Sequence, residues 1–320
     1  MSAMQAAATE RSEAMAPAIG AALNKKPRRP LSAVIKKYWF FYLLVLPGFL
    51  MLLLFNYVPM YGLIVGFKDW NIVKGILGSP WTDNYGFKYF ISFLTDAYFW
   101  RVIKNTLLIN LYNLLFGFTF TIFLALMINE VRARWFKRAV QTAVYLPYFL
   151  SWIIFAGLIS AFLDPQTGLI NNLIVLAGGT PIRFLTDNRY FQFILVLTNT
   201  IKESGYDSIL YLAAIAGINP ELYESAKVDG GNRLHMIRHI TLPHITPTIA
   251  VLLLLRVSRL LGSNFDQIYN LYSPMVFDTG DTAATYIYRI GLEQSMYSLS
   301  TAVNLFTNIL GLLLLLGANK

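Results

Sequence analysis

The chain has 320 residues, of which 56% are hydrophobic and only 13% charged, whereas water-soluble domains carry about 25% charged residues. So few charges could not cover a soluble protein of this length, and the lack of cysteine excludes a disulfide framework, a thiolate zinc site and a cysteine nucleophile. The formal charge of +9 is compatible with nucleic acid, anionic lipid or an anionic substrate, and the placement of the charges separates these readings.

In chain order, residues 1–38 are rich in Ala and Glu and then basic, with Lys25, Lys26, Arg28, Arg29, Lys36 and Lys37. They read as a cytoplasmic tail drawn to lipid head groups. The apolar run 39–58 is too long for a cleaved signal, and no small-residue cleavage site follows Val58. It is therefore expected to be a first span, since a bilayer core needs about 20 apolar residues per helix. The loop 59–104 carries Trp70, Trp81, Tyr85, Phe87, Tyr89, Phe90, Tyr98, Phe99 and Trp100. That density is expected of an interfacial aromatic belt, with a ligand-stacking surface as the alternative. Further spans are expected at 105–128, 139–163, 190–218, 244–261 and 300–317, the fourth interrupted by Lys202, Glu203 and Asp207.

With the N-terminus inside, the inner segments hold 15 Lys/Arg against 6 Asp/Glu, and the outer segments 8 against 9. The basic excess then lies on the cytoplasmic side, as topology requires. The sequence thus predicts an all-α polytopic membrane protein of six transmembrane helices, N-in and C-in, with a tail over 1–38 and a membrane domain over 39–320. A nucleic-acid partner is excluded because no solvated basic domain exists to carry it. G-x-x-x-x-G-K-[ST], G-x-S-x-G and H-E-x-x-H are absent, so neither a phosphate cradle, a nucleophile elbow nor a zincin helix is indicated. His235, His239 and His244 have no evident further ligand, and no metal site is expected.

The segment 219–243 between the fourth and fifth spans is the most informative. Asn219 before Pro220 is a helix start, a side-chain cap followed by a residue with no donor to lose. Glu221 and Glu224 suit the positive end of the helix dipole. Gly230-Gly231 then ends the helix, and a second amphipathic helix leads to Pro243. Such a short helix suits docking into a groove of another protein, or an ordinary place at the membrane interface.

The pattern Glu224-Ser225-Ala226, three residues, Gly230, nine residues, Ile240-x-Leu242-Pro243 resembles the EAA loop of permeases in binding-protein-dependent ABC importers. It departs at Ser225, where alanine is usual. Tyr57-Val58-Pro59-Met60-Tyr61-Gly62, Gly75 to Trp81, Leu146 to Trp152, Thr167 to Asn172 and Asn264 to Tyr269 resemble the sugar and polysaccharide branch of that family. The likeness spans about residues 36–320. It implies a permease subunit that takes up an oligo- or polysaccharide, an anionic uronate polymer such as alginate among them, by ATP-driven alternating access in the bacterial cytoplasmic membrane. The partners so implied are a second, homologous permease, two ATPase subunits (a homodimer or heterodimer), a periplasmic or extracellular solute-binding protein and membrane lipid. The chain is then no enzyme and holds no cofactor, ATP and Mg being bound by the ATPases. Glu224 would pair with a basic group there, Ser225 and Ala226 would allow close approach, Gly230 would form the turn, and Leu242-Pro243 would redirect the chain into the fifth span, with Asp229 and Ile240 belonging to the same coupling loop.

Ionisable groups within a span are functional candidates. Glu203 and Asp207 are four apart, hence on one helical face, where like charges repel unless a cation intervenes. Lys202 is that cation if the backbone loosens at Ser204-Gly205. Asn199, Lys202, Glu203 and Asp207 either line a polar route or form an internal ion pair that holds helices together. Arg256 and Arg259 are three apart, in the outer half of the fifth span. Snorkelling suits Arg259, whereas two guanidiniums would suit a carboxylate-bearing sugar. An ion-coupled secondary transporter relaying through Lys202, Glu203 and Asp207 is the alternative function.

Overall fold

Helices make up nearly all the regular structure in the computed structural model, which describes residues 31–318 apart from 258, 259, 261 and 263. The basic tail ahead of residue 31 and the expected path residue Arg259 lie outside the described residues. Among those described, the extended pairing is an isolated bridge between Lys68 and Trp81.

The chain divides after Gly62 into two units. In the first, α1 (Leu31–Leu52) runs on through a π turn (Leu53–Tyr57) into the helical turn Val58–Met60. Proline lacks an N–H, and its ring presses on the carbonyl four residues earlier. The π turn widens the helix just ahead of Pro59, where that carbonyl is the one on Phe55. Trp39, Phe55 and Tyr57 are exposed along this unit.

The second unit comprises α2 (Lys88–Leu94), α3 (Ala97–Glu130), α4 (Arg134–Tyr145), a 3-10 turn (Leu146–Phe149) and α5 (Trp152–Leu163). Then follow α6 (Leu169–Leu176), α7 (Asn188–Ala216), α8 (Pro220–Val228) and α9 (Arg233–Val257). α10 (Phe265–Leu271), α11 (Ala283–Tyr288) and α12 (Tyr297–Ala318) follow towards the C-terminus.

By length and composition, four helical stretches can cross a bilayer: Lys36–Phe67, α3, α9 and Tyr297–Gly317. A fifth follows if Arg134–Phe149 and Trp152–Leu163 form one broken span; they meet at 106°. The sequence predicts a single run there. The break has a local cause, because Pro147 lies in the 3-10 turn and Ser151 starts a new helix by accepting from the Ile154 N–H at 3.3 Å. The expected fourth span is one helix, α7, whose 29 residues would reach about 43 Å at the usual rise. Its Lys202, Glu203 and Asp207 leave it too polar to qualify by composition.

Three buried clusters hold this unit, and α3 contributes to each. Phe93, Phe99, Val102 and Ile103 meet Tyr286, Ile290, Ala302 and Val303, joining α2 and α3 to α12 and to the chain around α11. Ile109, Ala156, Phe191, Leu195 and Ile268 join α3, α5, α7 and α10. Leu126, Ile215, Ile218 and Ile245 join α3, α7 and α9. Lipid offers helices no hydrophobic drive to associate, so close packing and hydrogen bonds must carry the contacts at membrane depth.

The aromatic loop departs from the expected interfacial belt. Phe99 is fully buried, and Tyr89, Phe90 and Tyr98 pack against the first cluster. Trp70 meets Tyr297 edge-on with centroids 4.9 Å apart, while Trp81 and Tyr85 stay exposed. Phe90, Phe93 and Phe99 fall on the inward faces of two helices, and helical spacing turns an aromatic row into a core. Outside the spans, the Tyr89 hydroxyl donates to Asp69 at 2.7 Å and Lys88 lies 3.2 Å away. The Tyr89 hydrogen bond holds the Asp69 carboxyl below its ordinary value despite some burial. Burial, with the Asp69 hydrogen bond and charge, pushes Tyr89 up to about 12. The depressed carboxyl stabilises the fold above pH 3.8, a contribution lost as pH falls through its lower folded value.

A polar knot ties α3 to the segment before and after α11. Asp281 is fully buried and accepts from Tyr98 Oη at 2.5 Å, Thr285 Oγ1 at 2.8 Å and Arg289 Nη2 at 2.5 Å. Burial opposes the Arg289 cation, yet the Asp281 hydrogen bond and charge prevail and raise its pKa. Asn105 Nδ2 donates to the carbonyls of Asp278 and Asp281, and Arg101 pairs with Asp278.

The backbone of α7 does not loosen at Ser204-Gly205, the condition under which Lys202 would answer Glu203 and Asp207; it stays helical throughout. Glycine is required there for another reason. A Cβ at residue 205 would lie 1.9 Å from the Val144 carbonyl oxygen, where α4 crosses.

Two stability measurements check these contacts. Asp281→Ala strands a buried guanidinium and is expected to cost about 3–5 kcal/mol, read as a lowered melting temperature of the detergent-solubilised chain. Gly205→Ala is expected to cost about 1–3 kcal/mol by overpacking. Gly157→Ala, in the interior of α5, is the control: nothing lies within 4 Å of the added carbon, and it should melt no lower than the parent.

Candidate functional site

The α7 residues Asn199, Glu203, Tyr206, Asp207, Leu210 and Tyr211 recur at steps of three and four, which places them on one helical face. That face lines a cavity of about 490 Å³ in the second unit. α3 closes it with Asn110, Asn113, Leu114 and Thr121, again one face, and α9 adds Leu252, Leu255 and Arg256. Tyr148 and Trp152 enter from the bend between α4 and α5, and Asn264, Phe265 and Asp266 from the chain leading into α10.

Within the cavity wall, Arg256 donates through Nη2 to Asp207 Oδ2, pairing α9 with α7. Both groups keep part of their surface open, 39% and 30% of the side chain respectively. The Tyr148 and Tyr206 rings stack with centroids 3.9 Å apart at an angle of 4°. Lys202 points elsewhere: it is 4% exposed, and its Nζ donates to the carbonyls of Pro147 (3.2 Å), Tyr148 (2.8 Å) and Leu150 (2.7 Å). Of the expected path residues, Asn199, Glu203, Asp207 and Arg256 are brought together around the cavity, and Lys202 is beneath its wall. The cation nearest Asp207 in sequence is therefore not the one that pairs with it.

Sequence reasoning missed Asn110, Asn113, Tyr148, Trp152, Tyr206 and Asp266 as wall residues. A signal existed for the first two, a pair of asparagines three apart in an otherwise apolar run. Asn113 is 6% exposed, and its amide has no hydrogen-bond partner among the described residues. For Tyr206 the signal was its spacing from Glu203 on the same face.

The segment 219–243 forms a second site. Asn219 Oδ1 accepts from the Glu221 N–H at 3.1 Å and caps α8. At the other end Gly230 has φ +79°, and its N–H reaches Lys227 O at 3.1 Å while the Gly231 N–H reaches Ala226 O at 2.7 Å. These are the two bonds of a Schellman ending, which needs a left-handed residue at its turn. Asn232 caps the next helix by accepting from the His235 N–H at 2.8 Å. Glu224, Ser225 and Asp229 are exposed on α8 and at its end, and Ala226 is half-buried. Ile240 and Leu242 pack with Tyr223 against the third cluster, and Tyr223 Oη meets Thr241 Oγ1 at 3.0 Å. Pro243 does not break the chain into a new element, because α9 passes through it. A π turn over Ile237–Thr241 precedes it and relieves the clash with the His239 carbonyl.

His235 and His239 stack at 4.2 Å. Among the described residues no three His, Cys, Asp or Glu side chains gather as a metal site would require.

Comparison with known proteins places these features in a family. Residues 117–317 match the binding-protein-dependent transport system inner membrane components. The polygalacturonan/rhamnogalacturonan transport system permease protein YteP of Bacillus subtilis (strain 168) is 42% identical over 311 residues, covering 96% of this chain and 95% of that protein. Protein LplB of the same organism is 41% identical, covering 90% and 89%. Among solved structures, a chain of a bacterial ABC transporter involved in the import of the acidic polysaccharide alginate superposes with a TM-score of 0.83 at 45% identity, covering 90% of this chain and 96% of that one. A chain of the bacterial alginate ABC transporter in complex with an alginate pentasaccharide-bound periplasmic protein gives 0.82 at 44%, covering 90% and 95%. With its capped turn, its polar cavity and a family match over most of its length, the chain belongs to the inner membrane permease components of binding-protein-dependent transport systems.

Proposed function

We propose that this chain is one half of the membrane channel of an ABC importer for an acidic polysaccharide. The carrying observation is the cavity, which sets a guanidinium, carboxylates, amides and flat aromatic faces around one space, the donor and acceptor set that a hydroxyl- and carboxylate-bearing sugar chain requires. The similarity to an alginate importer and to a polygalacturonan permease supports that substrate class.

In this reading the chain crosses the bacterial inner membrane six times with both ends inside; the broken α4–α5 pair and α7 are the third and fourth spans. A second, similar permease encloses the other side of the path. Two ATPase subunits bind and hydrolyse ATP with Mg, and a periplasmic solute-binding protein delivers the substrate. α8 docks on an ATPase, with Glu224 facing a basic group there. Exposed Leu222, Val228 and Leu234 flank it and supply apolar area for a groove. Asn199, Glu203, Asp207 and Arg256 line the path, joined by Arg259. Arg256 has five N–H donors, so a guanidinium that holds Asp207 can also meet a substrate carboxylate.

Two experiments test this in proteoliposomes that contain the assembled importer. Loaded binding protein should stimulate ATP hydrolysis, and Glu224→Ala should abolish that stimulation while the melting temperature of the chain stays unchanged. Uptake driven by an ion gradient with no ATPase present would establish the secondary-transporter alternative instead. Arg256→Ala should raise the KM for uptake of a uronate oligosaccharide about tenfold, the effect of losing ~1.4 kcal/mol of binding. Uptake unchanged by that substitution would remove Arg256 from the path.

A further inference from the structure

Among the described residues, Lys202 is the one expected path residue whose head group does not reach the cavity, and its surroundings explain why. An ammonium group has three donors and no acceptor. All three are matched here, by the carbonyls of Pro147, Tyr148 and Leu150. Those carbonyls end the 3-10 turn Leu146–Phe149, beyond which Ser151 starts α5 at 106° to the preceding helix. Carbonyls at a helix end lack intrahelical partners, and at membrane depth water cannot supply them. A single buried cation answers three of them at once. The same ammonium lies 5.5 Å from the Tyr148 ring centroid and 5.2 Å from that of Trp152, within cation–π reach of both. One turn further along α7, Tyr206 stacks on Tyr148. α7 thus grips the bend twice, by its carbonyls and by a ring.

Both rings over Lys202 belong to the cavity wall. We propose that Lys202 is a positioning residue: it locks the bend at Leu146–Ser151 so that Trp152 and the stacked Tyr148–Tyr206 pair hold fixed places in the wall that a passing sugar ring meets. The proposal rests on the reading of the cavity as a saccharide path. It assigns Lys202 no contact with substrate, since a substrate carboxylate would have to displace three carbonyls and the two rings above them. Arginine would not substitute fully, because its planar fork does not reproduce three converging donors.

The test uses Lys202→Met, which keeps the stem and removes the donors. The chain has no cysteine, so Leu146→Cys, at a position 60% exposed on the turn, takes a spin label cleanly. In the assembled importer Lys202→Met should raise the KM for oligouronide uptake about tenfold with the maximal rate changed less than twofold. In the full chain without substrate it should mobilise the label at 146. An unchanged KM, a loss confined to the maximal rate, or an unmoved spectrum overturns the proposal. Should Met at 202 prevent assembly, Lys202→Gln carries the test, since its amide still offers two donors: a smaller KM rise with a partly mobilised label supports the lock, and parental values of both overturn it. If the parent importer itself moves no oligosaccharide, the transport reading falls, and the spectrum still decides whether Lys202 holds the bend.

Discussion

The second unit depends on how closely α7 approaches α4. At Gly205 the Val144 carbonyl occupies the space any other residue would fill with a Cβ. Ser204 and Ser208 are buried on either side of that contact, Ser208 donating to the Gly205 carbonyl at 2.6 Å. Small residues let backbones approach where lipid supplies no hydrophobic drive, and dispersion grows steeply as the gap closes. The crossing also brings Lys202 under the 3-10 turn, because the turn begins two residues after Val144. A bulkier residue at 205 would therefore move the bend, the ammonium and the aromatic wall together.

α7 carries polar groups for two different reasons, and the distinction follows from where each group finds its partners. Lys202 on one flank of the helix and Ser208 on the other are answered by carbonyls inside the protein. Between those flanks, Asn199, Glu203 and Asp207 open onto a cavity. Charge shut away from bulk water persists when it is paired or faces such a space, and this helix shows both solutions. The Asp207–Arg256 pair belongs to each, since it joins α7 to α9 while keeping part of both groups open.

Much of this was legible in the sequence. Long apolar runs such as 105–128 and 300–317 lie inside α3 and α12, because a stretch of that length has few alternatives to a helix in lipid. The caps of α8 were equally readable, since Asn219-Pro220 and Gly230-Gly231 act through local backbone chemistry that no tertiary contact overrides. What depended on distant partners was not readable. Lys202, Glu203 and Asp207 sit within six residues, and adjacency suggested that they answer one another. The structure answers Asp207 from residue 256 and Lys202 from residues 147–150, choices that only the helix crossing can make. The aromatic loop failed for a related reason: composition gives the density of rings, whereas their spacing on α2 and α3 decides that most face inward.

The two candidate sites are also joined mechanically. α7 ends at Ala216, and only Gly217, Ile218 and Asn219 separate it from α8. Tyr223 of α8 packs with Ile240 and Leu242 of α9 against a cluster that contains Ile215 of α7, Ile218 and Ile245 of α9. α8 is thus clamped to the two helices that carry Asp207 and Arg256. From Asp207 to Ala216 is nine residues of continuous helix, about 14 Å at the usual rise, with no glycine or proline to absorb a bend. In the proposed importer a push on α8 cannot be taken up locally by a flexible linker. It must shift α7 against α9, and the ion pair that bridges them across the cavity wall is where such a shift would be felt.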